Sequence, residues 1–142
     1  MKKNNLFTLD KFIEDSLYNK KHGYYMKKNP FGKSGDFITA PNISILFSEM
    51  IAIWIISFWE KLNCPEQFNL IELGAGNGEM MRVLVRTFSK FPKFKNSCKI
   101  NILEKSKLLQ RTQKAVIKDA KIKWINNLNE LNSLPCIFIA NE

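Results

Sequence analysis

Phe68-Asn69-Leu70-Ile71-Glu72-Leu73-Gly74-Ala75-Gly76-Asn77-Gly78 decides the fold. Its first six residues form a short apolar run ending in an acid, which reads as a buried strand. Three glycines follow at alternate positions, and Glu79 to about Lys90 then carries Met80, Met81, Leu84, Val85 and Phe88 at helical spacing. A strand, a glycine loop and a helix make a ligand cradle. Gly74 permits the tight turn, Gly76 lets a ligand approach the backbone, and Gly78 opens a helix whose free N–H groups face the ligand. A dinucleotide fingerprint needs a glycine at position 79, where this chain has Glu79. An acid there suits a cationic ligand better than a pyrophosphate.

Two further acids sharpen the reading. Glu72 is placed to hold an ammonium group, directly or through water; the alternative is a strand-end glutamate in solvent. Glu104 ends a second apolar run, Lys99 to Glu104, where an acid in a doubly wound sheet accepts hydrogen bonds from ribose hydroxyls. The nucleoside of S-adenosylmethionine (SAM) and that of NAD both offer such a ribose. Lys107 to Ala120 reads as the next helix, with Leu109, Val116, Ile117 and Ala120 as its stripe. Ile122–Ile125 and Cys136–Ala140 read as third and fourth strands. Asn126, Asn127 or Leu128 falls beside the adenine by position. Asn141-Glu142 falls where ligands meet strand ends, and Glu142 is a candidate for orienting a methyl acceptor. Strands alternating with helices predict a parallel sheet covered on both faces.

Upstream, Thr8 is an N-cap candidate for a short helix presenting Leu9, Phe12, Ile13 and Leu17. Gly23 to Pro41 lacks helical period and reads as an ordered loop. Asn42 or Ser44 starts a long helix to about Leu62, with Phe47, Met50, Ile51, Trp54, Ile55, Phe58 and Leu62 inward and other faces covered too. Its apolar stretch, Met50 to Trp59, is too short for a bilayer, which needs about 20 residues. The organisation expected is a helical and loop extension over 1–66 followed by a Rossmann-like unit over 67–142.

Composition bounds the partners. The 142 residues carry 22 Lys plus Arg against 13 Asp plus Glu, a net charge of +9, but the excess is lysine dispersed along the chain. The densest run, Lys90 to Lys95, reads as a solvated loop, so nucleic acid is not expected as a partner. Cys64, Cys98 and Cys136 are odd in number and lack Cys-x-x-Cys spacing, against a disulfide framework or a zinc site; Cys136, in an apolar run, is expected in the core. With His22 the only histidine, a multi-histidine metal site is excluded. Gly32-Lys33-Ser34 lacks the earlier glycine of a phosphate loop, and no targeting segment is visible.

With these residues in place, the chain resembles the MidA-like family of class I SAM-dependent methyltransferases. Gly23-Tyr24-Tyr25, Gly35-Asp36-Phe37-Ile38-Thr39-Ala40-Pro41, the loop from Glu72 to Gly78, Ile102-Leu103-Glu104-Lys105-Ser106 and Ile139-Ala140-Asn141-Glu142 carry the resemblance. Asn42, Ser48, Glu79 and Val83 depart from the family's usual Glu, Gly, small or hydroxylic residue, and Asp. The resemblance implies a seven-stranded sheet of order 3-2-1-4-5-7-6, of which this chain supplies four strands in the order 3-2-1-4, as an incomplete, truncated sheet. It implies SAM as cofactor; the residues expected to hold it are Glu72, Gly74, Gly76, Gly78 and Glu104, with Asn126 added by position, and Asp36 and Glu142 are candidates for the acceptor side. It also implies methylation of a protein arginine linked to respiratory complex I, in the mitochondrial matrix of a eukaryote or the cytoplasm of a bacterium. The acceptor-binding half is expected on a separate C-terminal piece. The alternative of another class is a catalytically inactive remnant, or a nucleoside- or partner-binding module.

Overall fold

The computed structural model describes residues 7–119 and 121–141. Four parallel strands, β1 (Phe68–Leu73), β2 (Cys98–Leu103), β3 (Lys123–Ile125) and β4 (Cys136–Ile139), form one sheet in the order β3-β2-β1-β4. β1 lies at the centre, pairing Leu70 with Ile100 on one side and with Ile137 on the other. The crossovers are α5 (Glu79–Phe88) with α6 (Pro92–Ser97), and α7 (Lys107–Ile117). Upstream stand α1 (Leu9–Tyr18), α2 (Tyr24–Lys27), α3 (Ala40–Ile43) and α4 (Ile45–Lys61). The strand order is the one the family resemblance implies. Ala120, the expected end of the second crossover helix, lies outside the described residues; α7 ends at Ile117, where Lys118 takes the left-handed conformation.

One hydrophobic core spans the position-66 boundary. Ala52, Ile55 and Trp59 of α4 join Phe68 and Leu70 of β1, Met81, Leu84 and Phe88 of α5, and Ile137 and Ile139 of β4. An ion pair from Arg86 to Glu49, 2.9 Å, ties α5 to α4 on the surface. Among the described residues, no helix is long and apolar enough to cross a membrane.

Several expectations need correcting. α4 turns Ser48, Ala52, Ile55, Ile56 and Trp59 inward, while Met50, Trp54, Phe58 and Leu62 of the expected face are exposed. Small Ser48 and Ala52 let α4 approach its neighbours closely, and an all-round apolar helix offers no periodicity to choose a face. Among the described residues nothing supplies the expected covering of its other faces: Leu46 is 63% exposed and Trp54 55%. The Gly23–Pro41 segment is not purely loop, since α2 forms inside it and α3 begins at Ala40. Nor is Lys90–Lys95 a solvated loop. It starts α6, whose lysines face solvent while Phe94 is buried against Trp59, Phe68 and Phe88, with ring centroids 5.5, 5.4 and 4.6 Å away. Burying one such ring contributes about 1.5–3 kcal/mol.

Cys136 is exposed rather than core, because β4 alternates and places Ile137 and Ile139 inward instead. Phe138, on the opposite face, is 48% exposed. On that face the amides of Asn132, Asn69 and Asn101 form a ladder, with Asn69 donating to Asn132 at 2.7 Å and Asn101 donating to Asn69 at 3.3 Å.

Candidate functional site

Beyond the end of β1 the chain turns through three left-handed glycines, with φ of +73° at Gly74, +53° at Gly76 and +86° at Gly78. The loop and the N-terminal segment enclose a cavity of about 280 Å³ at the C-terminal end of the sheet. Glu72, Gly74, Ala75, Gly76, Asn77, Met80 and Asn141 line it from the Rossmann-like side; Tyr25, Phe31, Phe37, Thr39, Pro41 and Asn42 line it from the other. A larger cavity, about 510 Å³, opens at the beginning of the strands around Asn69, Lys99, Asn101 and Lys121. Ligands in open α/β sheets meet the carboxyl ends of strands, so the smaller cavity is the candidate.

Local chemistry explains how the N-terminal segment reaches the loop. Asn77 donates to Asn42 Oδ1 at 2.7 Å, and Asn42 donates to Thr39 Oγ1 at 2.8 Å. Phe31 stacks on Tyr25, nearly parallel at 6.1 Å, and covers Gly76 so closely that a Cβ there would lie 3.5 Å from its ring. The turn holding Phe31 and Phe37 together needs Gly35, because a Cβ at that position would stand 2.2 Å from the Pro30 carbonyl oxygen. That contact gives a physical reason for the glycine in the Gly-Asp-Phe segment.

Glu72 dominates the electrostatics. Its side chain is 2% exposed, and among the described residues no group hydrogen-bonds Oε2. Burial, with a smaller contribution from the charge of Glu104, pushes its carboxyl up to about 8. The solvent-exposed strand-end alternative for this glutamate is therefore overturned. Although the chain is strongly basic, no lysine or arginine among the described residues lines the cavity. A buried acid lacking a partner, in a cavity without cations, fits an ammonium or sulfonium ligand and disfavours a pyrophosphate. Glu79, at the helix start, is paired with Arg82 and is not free to act there.

Glu104 is also buried, at 6% exposure. Its Oε1 accepts from the Ser106 amide at 2.8 Å and its Oε2 from Gln113 at 3.0 Å. Burial raises its proton affinity, and these hydrogen bonds oppose the rise. Each carboxylate oxygen keeps a lone pair for a ligand hydroxyl.

Of the expected cofactor residues, Glu72, Gly74 and Gly76 line the cavity, whereas Gly78 and Glu104 do not, and Asp36 and Asn126 also stand apart from it. Asp36 does not line the cavity; Lys28 and the Tyr24 hydroxyl hold its carboxylate below the usual range, and the hydrogen bond to Asp36 in turn pushes the Tyr24 hydroxyl up to about 12. Its neighbour Phe37 does line the cavity. Asn126 is exposed, with its amide donating to Glu130 Oε1 at 2.8 Å, and it does not reach the cavity wall. Glu142 lies outside the described residues, while Asn141 before it lines the cavity. Gln113, Tyr25, Phe31 and Asn77 were not singled out as site residues. Gln113, a polar residue on the inward stripe of its helix, was the one with a signal that sequence reading had available.

A parallel sheet of order β3-β2-β1-β4, with a glycine loop after the central strand and acids at the ends of β1 and β2, has the strand order of part of a Rossmann-like class I methyltransferase sheet. Residues 50–142 match the family described as "Putative S-adenosyl-L-methionine-dependent methyltransferase", and the chain belongs to that family. It is similar to the mitochondrial protein arginine methyltransferase NDUFAF7 homolog of Drosophila melanogaster, 38% identical over 102 residues, covering 72% of this chain and 23% of that protein. Against mitochondrial protein arginine methyltransferase NDUFAF7 of Bos taurus the identity is 34% over 122 residues, covering 84% and 28%. The chain thus spans about a quarter of the length of these curated relatives. Among solved structures, a COG1565 superfamily member from Burkholderia thailandensis bound to S-adenosyl-homocysteine shares the fold, with a TM-score of 0.69 at 23% identity over 93% of this chain and 36% of that one.

Proposed function

We propose that this chain binds SAM in the glycine-loop cavity and forms the cofactor-binding half of a protein arginine methyltransferase. The observation that carries the reading is Glu72: a buried carboxylate with an unpartnered oxygen, on a residue that lines the glycine-loop cavity. An α-ammonium supplies the missing partner, and such a charge-assisted bond contributes roughly 1.5–3 kcal/mol. SAM when bound supplies a methyl carbon on a sulfonium, open to in-line displacement. The chain's own part is positioning. Glu72 holds the ammonium, Gly74, Gly76 and Gly78 shape the loop, Glu104 accepts the ribose hydroxyls, and Asn126 borders the adenine. Asp36 and Glu142 serve the acceptor side. The arginine acceptor follows the relatives, and by family resemblance it belongs to a respiratory complex I subunit, met in the mitochondrial matrix of a eukaryote or the cytoplasm of a bacterium. Acceptor binding is assigned to a separate C-terminal half.

A second reading, a catalytically inactive remnant or a nucleoside- or partner-binding module, is favoured by the exposed apolar face of α4. Arginine methylation after a C-terminal half is added would exclude it. The first experiment is calorimetric titration of SAM into the 142-residue chain, with circular dichroism to follow folding. Saturable binding is expected, weakened about tenfold by Glu104→Ala through loss of ribose hydrogen bonds. NADH binding more tightly than SAM would sink the proposal.

A further inference from the structure

We infer that Gln113 is a positioning residue that locks the glycine loop and the ribose acid Glu104 into one arrangement for the cofactor. The inference rests on the SAM reading above.

Gln113 lies mid-way along α7 and is fully buried. Its Nε2 donates to the Gly76 carbonyl at 2.9 Å and to Glu104 Oε2 at 3.0 Å, while its Oε1 accepts from the Trp124 indole N–H at 2.9 Å. Gly76 follows β1, Glu104 follows β2, and Trp124 lies in β3. One amide therefore joins the ends of three adjacent strands. Chemistry fixes which way it points: a carbonyl and a carboxylate only accept, and an indole only donates, so a single orientation satisfies all three.

Both amide hydrogens are used, leaving none to follow a moving partner. The Gly76 carbonyl is thereby committed to α7, and the Glu104 carboxylate is held between Gln113 and the Ser106 amide, with its remaining lone pairs free. A purely apolar residue of the same length fills the space but leaves a buried carbonyl and a buried carboxylate oxygen without donors. Glutamate at this place sets a second carboxylate against Glu104. The side chain thus matches the two groups that the cofactor's loop and ribose contacts depend on, beyond what packing alone asks of the position.

The test titrates S-adenosyl-homocysteine and its 2′-deoxy analogue into the 142-residue chain and into Gln113→Met, with thermal melts alongside. The unaltered chain is expected to prefer the intact ribose about tenfold, the worth of one good hydrogen bond to a charged acceptor. Gln113→Met is expected to lose roughly tenfold in affinity for S-adenosyl-homocysteine, together with most of that preference. A folded Gln113→Met that retains the preference, even with a lower melting temperature, overturns the inference, because the amide then serves the core alone. Should that variant fail to fold, Trp124→Phe removes the donor that orients the amide and keeps an aromatic ring in its place. It should reduce the preference about threefold, and an unchanged preference overturns the inference equally. Failure of the unaltered chain to bind S-adenosyl-homocysteine removes the SAM reading and this inference with it; binding with a preference that neither variant moves removes the inference alone.

Discussion

Glu72→Gln is expected to weaken SAM binding by roughly 10- to 100-fold while making the ligand-free chain more stable at neutral and alkaline pH. Both effects have one cause. The carboxylate is buried where no group among the described residues answers Oε2, so the empty fold favours its neutral form and the ligand needs its charged form. Burial raises its proton affinity from an ordinary 4.5 to about 8. Between those values the native chain holds a proton that the unfolded chain has released, so stability falls as pH rises through this window. The contribution is complete below the unfolded value and lost above the folded one, a difference on the order of a few kcal/mol. Thermal melts across this range should show a slope that Glu72→Gln flattens. Binding of the ammonium must also expel the proton, so calorimetry near neutral pH in buffers of different ionisation enthalpy should register about one proton released per SAM. Unchanged affinity in Glu72→Gln would remove this residue from the site.

Gly78→Val is expected to lower stability by roughly 3–5 kcal/mol and to abolish SAM binding with it. Gly78 has φ +86° at the start of α5, where a β-branched residue is strained. A Cβ at this position would also stand 3.1 Å from the Gln113 Cα, which is backbone and cannot swing aside. Gly74 is the internal comparison: its φ is +73°, but nothing lies within 4 Å of a Cβ built there. Gly74→Ala should therefore cost only the strain, about 1–2 kcal/mol. Urea unfolding of the two variants measures the difference, and equal losses would mean that α7 does not press on the loop.

What Gly78 does illustrates where sequence reading ran out. Its place at the opening of a helix whose free N–H groups face the ligand was legible. Its second role, admitting the backbone of α7, depends on a contact thirty-odd residues away that no local pattern records. The strands were legible because each is an apolar run bounded by polar or turn residues, and their order followed from family resemblance. β1 matches its expected bounds, and β2, β3 and β4 differ only at their ends. Helices with one apolar stripe, such as α5, also read correctly, down to Met81, Leu84 and Phe88. α4 did not, because an apolar residue on every side erases the signal that picks a face. Phe94 hid among lysines, and the short α2 and α3 are below the length at which a period can be recognised.

Within the site, Glu72 and Glu104 were legible from their places at strand ends. Their partners were not. Whether a carboxylate is left unanswered, or is met by an amide from a helix two elements away, is set by packing in three dimensions. Gln113 stands on the inward stripe of its helix with Leu109 and Ile117, but that place alone does not say which groups its amide meets.

The two outer strands of the sheet give it a direction of growth. β3 is three residues long and begins with an exposed lysine, so a neighbouring strand laid against it meets charge and gains few hydrogen bonds. β4 is apolar and presents Phe138 on its less covered face. An arriving strand is repelled at one margin and welcomed at the other, so any lengthening of this sheet, by more of its own polypeptide or by a stranger, proceeds outward from β4.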